Sequence, residues 1–210
     1  MFEEALFGNA KKNLAILGKS DAIAKAYLAG GTAAALQLGH RISIDLDFFT
    51  PINFIPKRFS QELASLGQFY EEQASKGTVI GKFEGVRFSL FIYKYPILYP
   101  FKSLFGIKIV DLRDIAAMKI DAIATRGYKR DFIDLYFMCK KDMKLEQMFR
   151  FYDKKYAKLA SNLIHIKKSL VYFMDAEDDP MPKMLLSCKW DEVKRFFEAE
   201  IKKIAKKSFK

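Results

Sequence analysis

The sequence predicts an α/β (α+β) chain: a head built on a mixed sheet over residues 1–110, then a helical C-terminal region over residues 111–210. Three observations carry this. The first half alternates short apolar runs with Gly and Pro, the punctuation of strands and turns. Within it, Asp45 and Asp47 alternate with Leu46 and Phe48, the pattern of a strand with one apolar face. From Asp111 onward nearly every stretch has helical spacing.

Taken in order, Met1 to Leu17 reads as an amphipathic helix and Ala26 to Ala29 as a short strand entering a glycine turn. Thr32 to Leu38 is a helix closed by Gly39 at C′, where a left-handed residue ends it. Ile42 to Phe49 is the strand that carries the carboxylates. Pro51 and Pro56 break the chain, and Lys57 to Leu66 forms the next helix. Phe69 to Lys76, Thr78 to Phe83 and Val86 to Tyr93 are strands, joined by tight turns at Lys76-Gly77 and Glu84-Gly85. Ile107 to Val110 is one more. Asp111 N-caps the helical region, so the boundary falls near residues 106–111.

Half of the 210 residues are apolar, and Phe (20) and Tyr (10) are abundant, so the chain can bury a core and is not disordered. The formal net charge of +11 suits a polyanionic partner, although lysine-rich compositions produce it without one. Cys139 and Cys188 are far apart, have no metal-like spacing and read as reduced, buried thiols of a cytoplasmic protein. The start, MFEEALFGNAKK, opens with two acidic residues and lacks a signal-peptide core, and no run reaches transmembrane length, so no membrane partner is expected.

The chemistry concentrates in Ala29 to Phe49, AGGTAAALQLGHRISIDLDFF. Asp45 and Asp47 share a strand face, and two adjacent carboxylates repel unless a cation lies between them. Oxygen ligands on a rigid strand suit Mg²⁺. Gly30 and Gly31 let the backbone approach a phosphate, and the following helix offers unpaired N–H groups. Thr32 either binds that phosphate or caps the helix. Lys119 and Arg126 lie on an apolar helical stripe with Ile115, Met118, Ala122 and Ile123. A buried lysine needs an anion, and an NTP triphosphate would serve; the alternative is a lysine that reaches out to solvent.

Gly30-Gly31-Thr32, Leu38-Gly39-His40-Arg41, Ser43 and Asp45-Leu46-Asp47-Phe48-Phe49 together resemble the AbiEii/AbiGii toxin family of nucleotidyltransferase-fold proteins. The likeness resumes in Asp114 to Asp134, DIAAMKIDAIATRGYKRDFID, and covers about two thirds of the chain. It implies a polymerase-β-like nucleotidyltransferase head, use of an NTP and Mg²⁺, toxin activity against RNA, and a separate antitoxin partner. It places Arg41 beside the site as a phosphate clamp, against a local pairing of Arg41 with an aspartate and a structural His40. It brings an aspartate after the Arg126-Gly127 turn into the active-site set: Asp131 first, with Asp134 in reserve. A helix N-terminus paired with Lys129 and Arg130 is the plainer reading. The polymerase-like pattern also wants a third carboxylate on the strand Val86 to Tyr93. That strand has none, and Ser89 or Phe91 falls at the place.

The expected function is therefore Mg²⁺-dependent transfer of a nucleotide from an NTP to an acceptor hydroxyl, on RNA. The expected catalytic residues are Asp45, Asp47, Lys119 and Asp131. Gly30, Gly31, Thr32, Arg41, Lys119 and Arg126 would hold the nucleotide. An inactive nucleotide- or RNA-binding module, and transfer to a protein or small-molecule hydroxyl, stand as alternatives. In the tail, Lys140 to Lys168 carries nine Lys or Arg against three Asp or Glu, interleaved with Phe151, Tyr152 and Tyr156. This is either an RNA-facing surface or a solvated helix face. Glu177-Asp178-Asp179 reads as a loop that covers the site or meets a partner.

Overall fold

Strands form where β-branched and aromatic residues alternate, and here they join into one sheet. In the computed structural model, which describes residues 1–157 and 159–207, seven strands lie in the order β3-β4-β5-β2-β1-β7-β6. They are β1 (Tyr27–Leu28), β2 (Leu46–Thr50), β3 (Phe69–Ser75), β4 (Thr78–Phe83), β5 (Val86–Ile92), β6 (Lys102–Leu104) and β7 (Ile107–Ile109). β2 runs parallel to β5, β1 runs parallel to β7, and the other pairings are antiparallel, so the sheet is mixed. The parallel pair β2–β5 sets Asp47 opposite Ser89 and Phe49 opposite Phe91.

The helices are α1 (Ala10–Leu17), α2 (Gly30–Leu38), α3 (Pro56–Leu66), α4 (Leu112–Thr125), α5 (Lys129–Lys140), α6 (Leu145–Tyr156), α7 (Leu159–Ser169), α8 (Met174–Glu177) and α9 (Trp190–Lys207). Asp111 N-caps α4 as expected, accepting from the Arg113 N–H at 3.0 Å. α2 is apolar all round, with every residue from Thr32 to Leu38 buried, because it is packed against the sheet and against α4 and α5. One buried apolar cluster runs through both halves of the chain, from Leu28 and Phe48 to Ile115, Phe132, Tyr152 and Phe197. Among the described residues no helix is long and apolar enough to cross a membrane.

Several expected boundaries move. The helix Met1 to Leu17 is broken: a 3-10 turn (Glu3–Ala5) precedes α1, and Gly8 between them has φ +56°. α2 begins at Gly30 rather than Thr32, so the glycines are its first turn. β2 begins at Leu46 rather than Ile42, because Arg41 and Ser43 instead make isolated bridges to Met184 and Leu6. β6 was not legible. It joins β7 through Phe105 and Gly106, at φ +52° and +81°, a turn with Phe where Asn or Asp would signal it.

The C-terminal region returns to the head. The Ile42 N–H donates to the Lys183 carbonyl at 2.8 Å and the Leu185 N–H to the His40 carbonyl at 2.9 Å. The acidic run before this strap neither covers the cleft nor stays a free loop. Asp179 accepts from the Lys129 N–H at 2.9 Å and the Glu177 carbonyl from Lys129 Nζ at 3.1 Å, which fixes the start of α5. Of the aromatic residues in the basic tail, Tyr152 and Tyr156 are buried and Phe151 is half-buried, and Lys155 is buried against Asp114 at 2.7 Å. Lys158, part of that basic stretch, lies outside the described residues.

Candidate active site

β2 pleats so that Leu46, Phe48 and Thr50 are buried while Asp45, Asp47 and Phe49 are half-buried on the opposite face. That face walls a cleft of about 820 Å³, closed by Gly30 and Gly31 of α2 and by Met118, Lys119 and Ala122 of α4. Burial, and then the charge of Asp47, raises the pKa of Asp45; Arg87, Arg130 and Arg41 act against the rise. Ser89 Oγ donates to Asp47 Oδ1 at 2.6 Å from the facing position of β5. Gly30 has φ +64°, and a Cβ there would stand 3.1 Å from Asp47 Oδ2. Only glycine gives both the left-handed backbone and the open space beside that oxygen.

Thr32 takes neither expected role. Ala29 occupies the N-cap of α2, and the Thr32 side chain is buried. Its hydroxyl reaches the Asp45 carbonyl and, at 2.8 Å, Ser43 Oγ. It thereby ties α2 to the segment that leads into the carboxylate strand.

Behind the cleft lies a saturated ion network. Arg41 is buried and bidentate on Asp134, with Nε–Oδ1 at 2.7 Å and Nη2–Oδ2 at 3.0 Å. It pairs with an aspartate after all, but one 93 residues away rather than a local one. A Cβ on Gly31 would fall 2.6 Å from Arg41 Nη2, so this glycine makes room for the guanidinium. His40 Nε2 meets Asp134 Oδ1 at 2.8 Å, and burial lowers the His40 pKa, keeping the ring neutral. Lys119 bridges Asp131 and Asp134, at 2.6 Å to each. The anions that a buried lysine requires are thus carboxylates of α5. Burial alone would raise the Asp134 pKa; the charges of Arg41 and Lys119 and the His40 and Arg41 hydrogen bonds hold it well below the usual carboxylate range.

Asp131 is fully buried, with one oxygen on Lys119 and the other on Arg126 Nε at 3.1 Å. It is not part of the cleft wall, whereas Lys119 and Arg126 are. The structure therefore brings Asp45, Asp47, Gly30, Gly31, Arg41, Lys119 and Arg126 to one cleft, and places Asp131 beneath the two cations instead of beside the strand carboxylates.

The sequence model of a family described as nucleotidyl transferase AbiEii toxin, type IV TA system, matches residues 14–103 and 92–209. The chain belongs to this family. An uncharacterized protein of Aquifex aeolicus (strain VF5) is 40% identical over 184 residues, which span 84% of this chain and 86% of the relative. Among solved structures, a putative nucleotidyltransferase from H. pylori shares 18% identity, a TM-score of 0.57 and coverage of 96% of this chain and 97% of its own. MenT4, a nucleotidyltransferase toxin of Mycobacterium tuberculosis, shares 14% identity and a TM-score of 0.52 over 92% of this chain and 85% of its own. At these identities the likeness is one of fold.

As an AbiEii-family member the chain is a nucleotidyltransferase, with the mixed sheet and helical region of that fold. The donor set fits the divalent metal that such enzymes use. Asp45 and Asp47 are hard oxygen donors sharing one face, and the space beside Asp47 Oδ2 is kept clear by Gly30. Among the described residues no group of three or more His, Cys, Asp or Glu side chains gathers as a metal cluster. Of the two residues expected at the third-acid place, Ser89 stands opposite Asp47 and Phe91 opposite Phe49. Sequence reasoning missed Arg87, Asp121, Arg130, Tyr93 and Tyr156, which also line the cleft. Asp121 and Arg87 were recoverable: Asp121 is i+3 from Met118, and Arg87 is two residues before Ser89.

Proposed function

We propose that this AbiEii-family nucleotidyltransferase is Mg²⁺-dependent and moves a nucleotide from an NTP to a hydroxyl of RNA. We also propose that it is the toxin of a pair whose antitoxin is its protein partner. The observation that carries the reading is the Asp45–Asp47 pair facing the cleft beside the Gly30–Gly31 turn. A Mg²⁺ ion held by those carboxylates would neutralise the phosphates and activate the acceptor hydroxyl.

The chain's own groups do the rest. The first N–H groups of α2 have no i−4 partner and face the position of the triphosphate. Lys119 lends a fixed charge held in place by Asp131 and Asp134. Arg41 acts through position, its guanidinium lying beside Gly31 and fixed there by Asp134. Arg87, Arg126 and Arg130 are exposed on the cleft wall and suit the phosphates of an RNA acceptor. In the transfer the acceptor oxygen bonds to the α-phosphorus, the bond to the pyrophosphate oxygen breaks, pyrophosphate leaves, and the hydroxyl proton passes to water in the cleft. Toxin action and an antitoxin follow from the family's description as a type IV toxin–antitoxin component.

Incubation with each α-labelled NTP and total RNA, with Mg²⁺ or with EDTA, tests this. Label in RNA only with Mg²⁺, and none with the Asp45→Asn/Asp47→Asn protein, is the expected result. Label on protein or a small molecule in place of RNA would overturn the acceptor, and transfer that survives EDTA would overturn the metal.

A further inference from the structure

Beyond the carboxylates the cleft face of the sheet turns aromatic. On β2 the alternation that presents Asp45 and Asp47 presents Phe49 next, and on β5 the series Arg87, Ser89 continues to Phe91 and then to Tyr93 just past the strand. Register places Phe49 opposite Phe91 as it places Asp47 opposite Ser89. Two residues along a strand advance about 6.6 Å, so the Phe49–Phe91 pair stands one such step from Asp47 and Tyr93 two steps from Ser89. Ring centroids are 5.7 Å apart for Phe49–Phe91, tilted by 40°, and 5.3 Å for Phe49–Tyr93, edge-on at 75°. Tyr27 stacks on Phe49, with centroids 6.1 Å apart and planes at 22°, Tyr95 tilts against Tyr93 at 5.1 Å, and the rings of Phe49, Phe91 and Tyr93 stay half-buried on the cleft wall. Near Tyr93 the wall becomes polar: the hydroxyls of Tyr93 and Tyr156 are 2.5 Å apart.

We propose that Phe49, Phe91 and Tyr93 are the seat of the nucleobase, which packs against this aromatic wall while the Tyr93–Tyr156 hydroxyl pair meets its edge. The inference rests on the proposed NTP site and assigns the nucleoside end of it. With the triphosphate at Gly30, Gly31 and Lys119 and the metal at Asp45 and Asp47, the sugar reaches along the strands and the base arrives one step on. An aromatic wall fits that occupant, because every base has a π-face, and stacking of this kind is worth roughly five- to 150-fold in affinity. The hydroxyl pair spends one proton internally and keeps one to donate, so it offers both a donor and acceptors to the base edge.

Calorimetry of the full chain with Mg²⁺ and ATP, CTP, GTP, UTP or inorganic tripolyphosphate separates the base from the phosphates. Phe91→Leu keeps the apolar bulk and removes the π-face; it is expected to weaken every NTP by about five-fold or more and tripolyphosphate by less than about two-fold. Phe49→Leu should act alike and carries the test if the first variant fails to fold. Tyr156→Phe should change the ranking among the four NTPs while sparing tripolyphosphate. Unchanged NTP affinity in the leucine variants, or an equal loss for tripolyphosphate, would overturn the seat. Wild-type protein that binds tripolyphosphate as tightly as any NTP would also overturn the seat alone, since the base would then contribute nothing. Wild-type protein that binds neither ligand would overturn the NTP site, and this inference with it.

Discussion

Four aspartates meet two fates in this molecule, a few residues of cleft wall apart. Asp45 and Asp47 lie side by side on one half-buried face, and the pKa of Asp45 rises through burial and through its neighbour's charge. Asp131 and Asp134 are fully buried one layer behind, where Lys119, Arg41, Arg126 and His40 take their oxygens. There Asp134 is driven the other way, well below the ordinary range. The rear pair is electrostatically complete and holds the fold. The front pair is incomplete, and its missing charge is what a metal–nucleotide complex would bring. The contrast separates residues that position the site from residues that would touch substrate, although both lie in segments the family resemblance marks.

The largest expected effect breaks the rear region. Asp134→Asn keeps the shape and leaves Arg41 and part of Lys119 without their counter-charge. Removing one partner of a buried pair costs about 3–5 kcal/mol, so urea unfolding should show a loss of that order. A loss under about 1 kcal/mol would mean that the network is not structural. Breaking the front region should do the opposite. Asp45→Asn with Asp47→Asn removes a like-charge repulsion, so stability should hold or rise. Mg²⁺-dependent NTP binding should fall by about a hundredfold, or 2.7 kcal/mol, in calorimetry. Equal affinity of the double variant and wild type would end the metal assignment.

Lys119 joins the two regions and sharpens the comparison. Its ammonium is held by the rear carboxylates, yet it lines the cleft. Lys119→Ala should weaken NTP binding by about 1.5–3 kcal/mol, the range for a charge-assisted contact. It should also destabilise the chain, because Asp131 and Asp134 each lose a cation. Lys119→Arg, with the charge kept and the shape changed, should recover more of the stability than of the binding. Destabilisation with unchanged NTP affinity would make Lys119 a structural lysine only.

The front region was legible because it is local. Gly30, Gly31, Asp45 and Asp47 fall within one short stretch, and strand alternation alone sets both carboxylates on one face. That β5 carries no carboxylate opposite Asp47 was legible too, because Val86 to Tyr93 contains no acid. The rear network was not. Arg41 and Asp134 are 93 residues apart, and spacing cannot tell which of several charged residues will meet across helices. Lys119 was recognised as a buried cation in need of an anion, but a substrate and a carboxylate satisfy that need equally on paper. Asp131 was misplaced for the same reason: a helix N-terminus shows that an acid belongs there, not which way it faces. The break at Gly8 and the Phe105-Gly106 hairpin depend on backbone angles that the residue types announce only weakly.

The smallest expected effect is a pH dependence with opposite signs in the two regions. Burial holds the folded His40 pKa below the unfolded value of about 6.5, so the unfolded chain binds the extra proton. Its contribution is complete above about pH 6.5 and is lost as pH falls from there toward the folded value, with a slope of at most about 1.36 kcal/mol per pH unit. Asp134 acts in the same direction but later: its depressed pKa keeps its contribution complete above about pH 3.9, and the loss begins only below that. Asp45 acts oppositely. Its folded pKa is raised, so above the ordinary carboxylate range the folded chain binds the proton, and acidification there stabilises the fold by removing a half-buried charge and its repulsion from Asp47. Urea unfolding followed from about pH 7 to about pH 4.5 should therefore fall gently for wild type. His40→Gln, which can still donate to Asp134, should flatten the decline just below pH 6.5. Asp45→Asn should steepen the decline near the lower end, because the offsetting proton is gone. Identical profiles for all three proteins would show that neither region titrates as its burial and partners require.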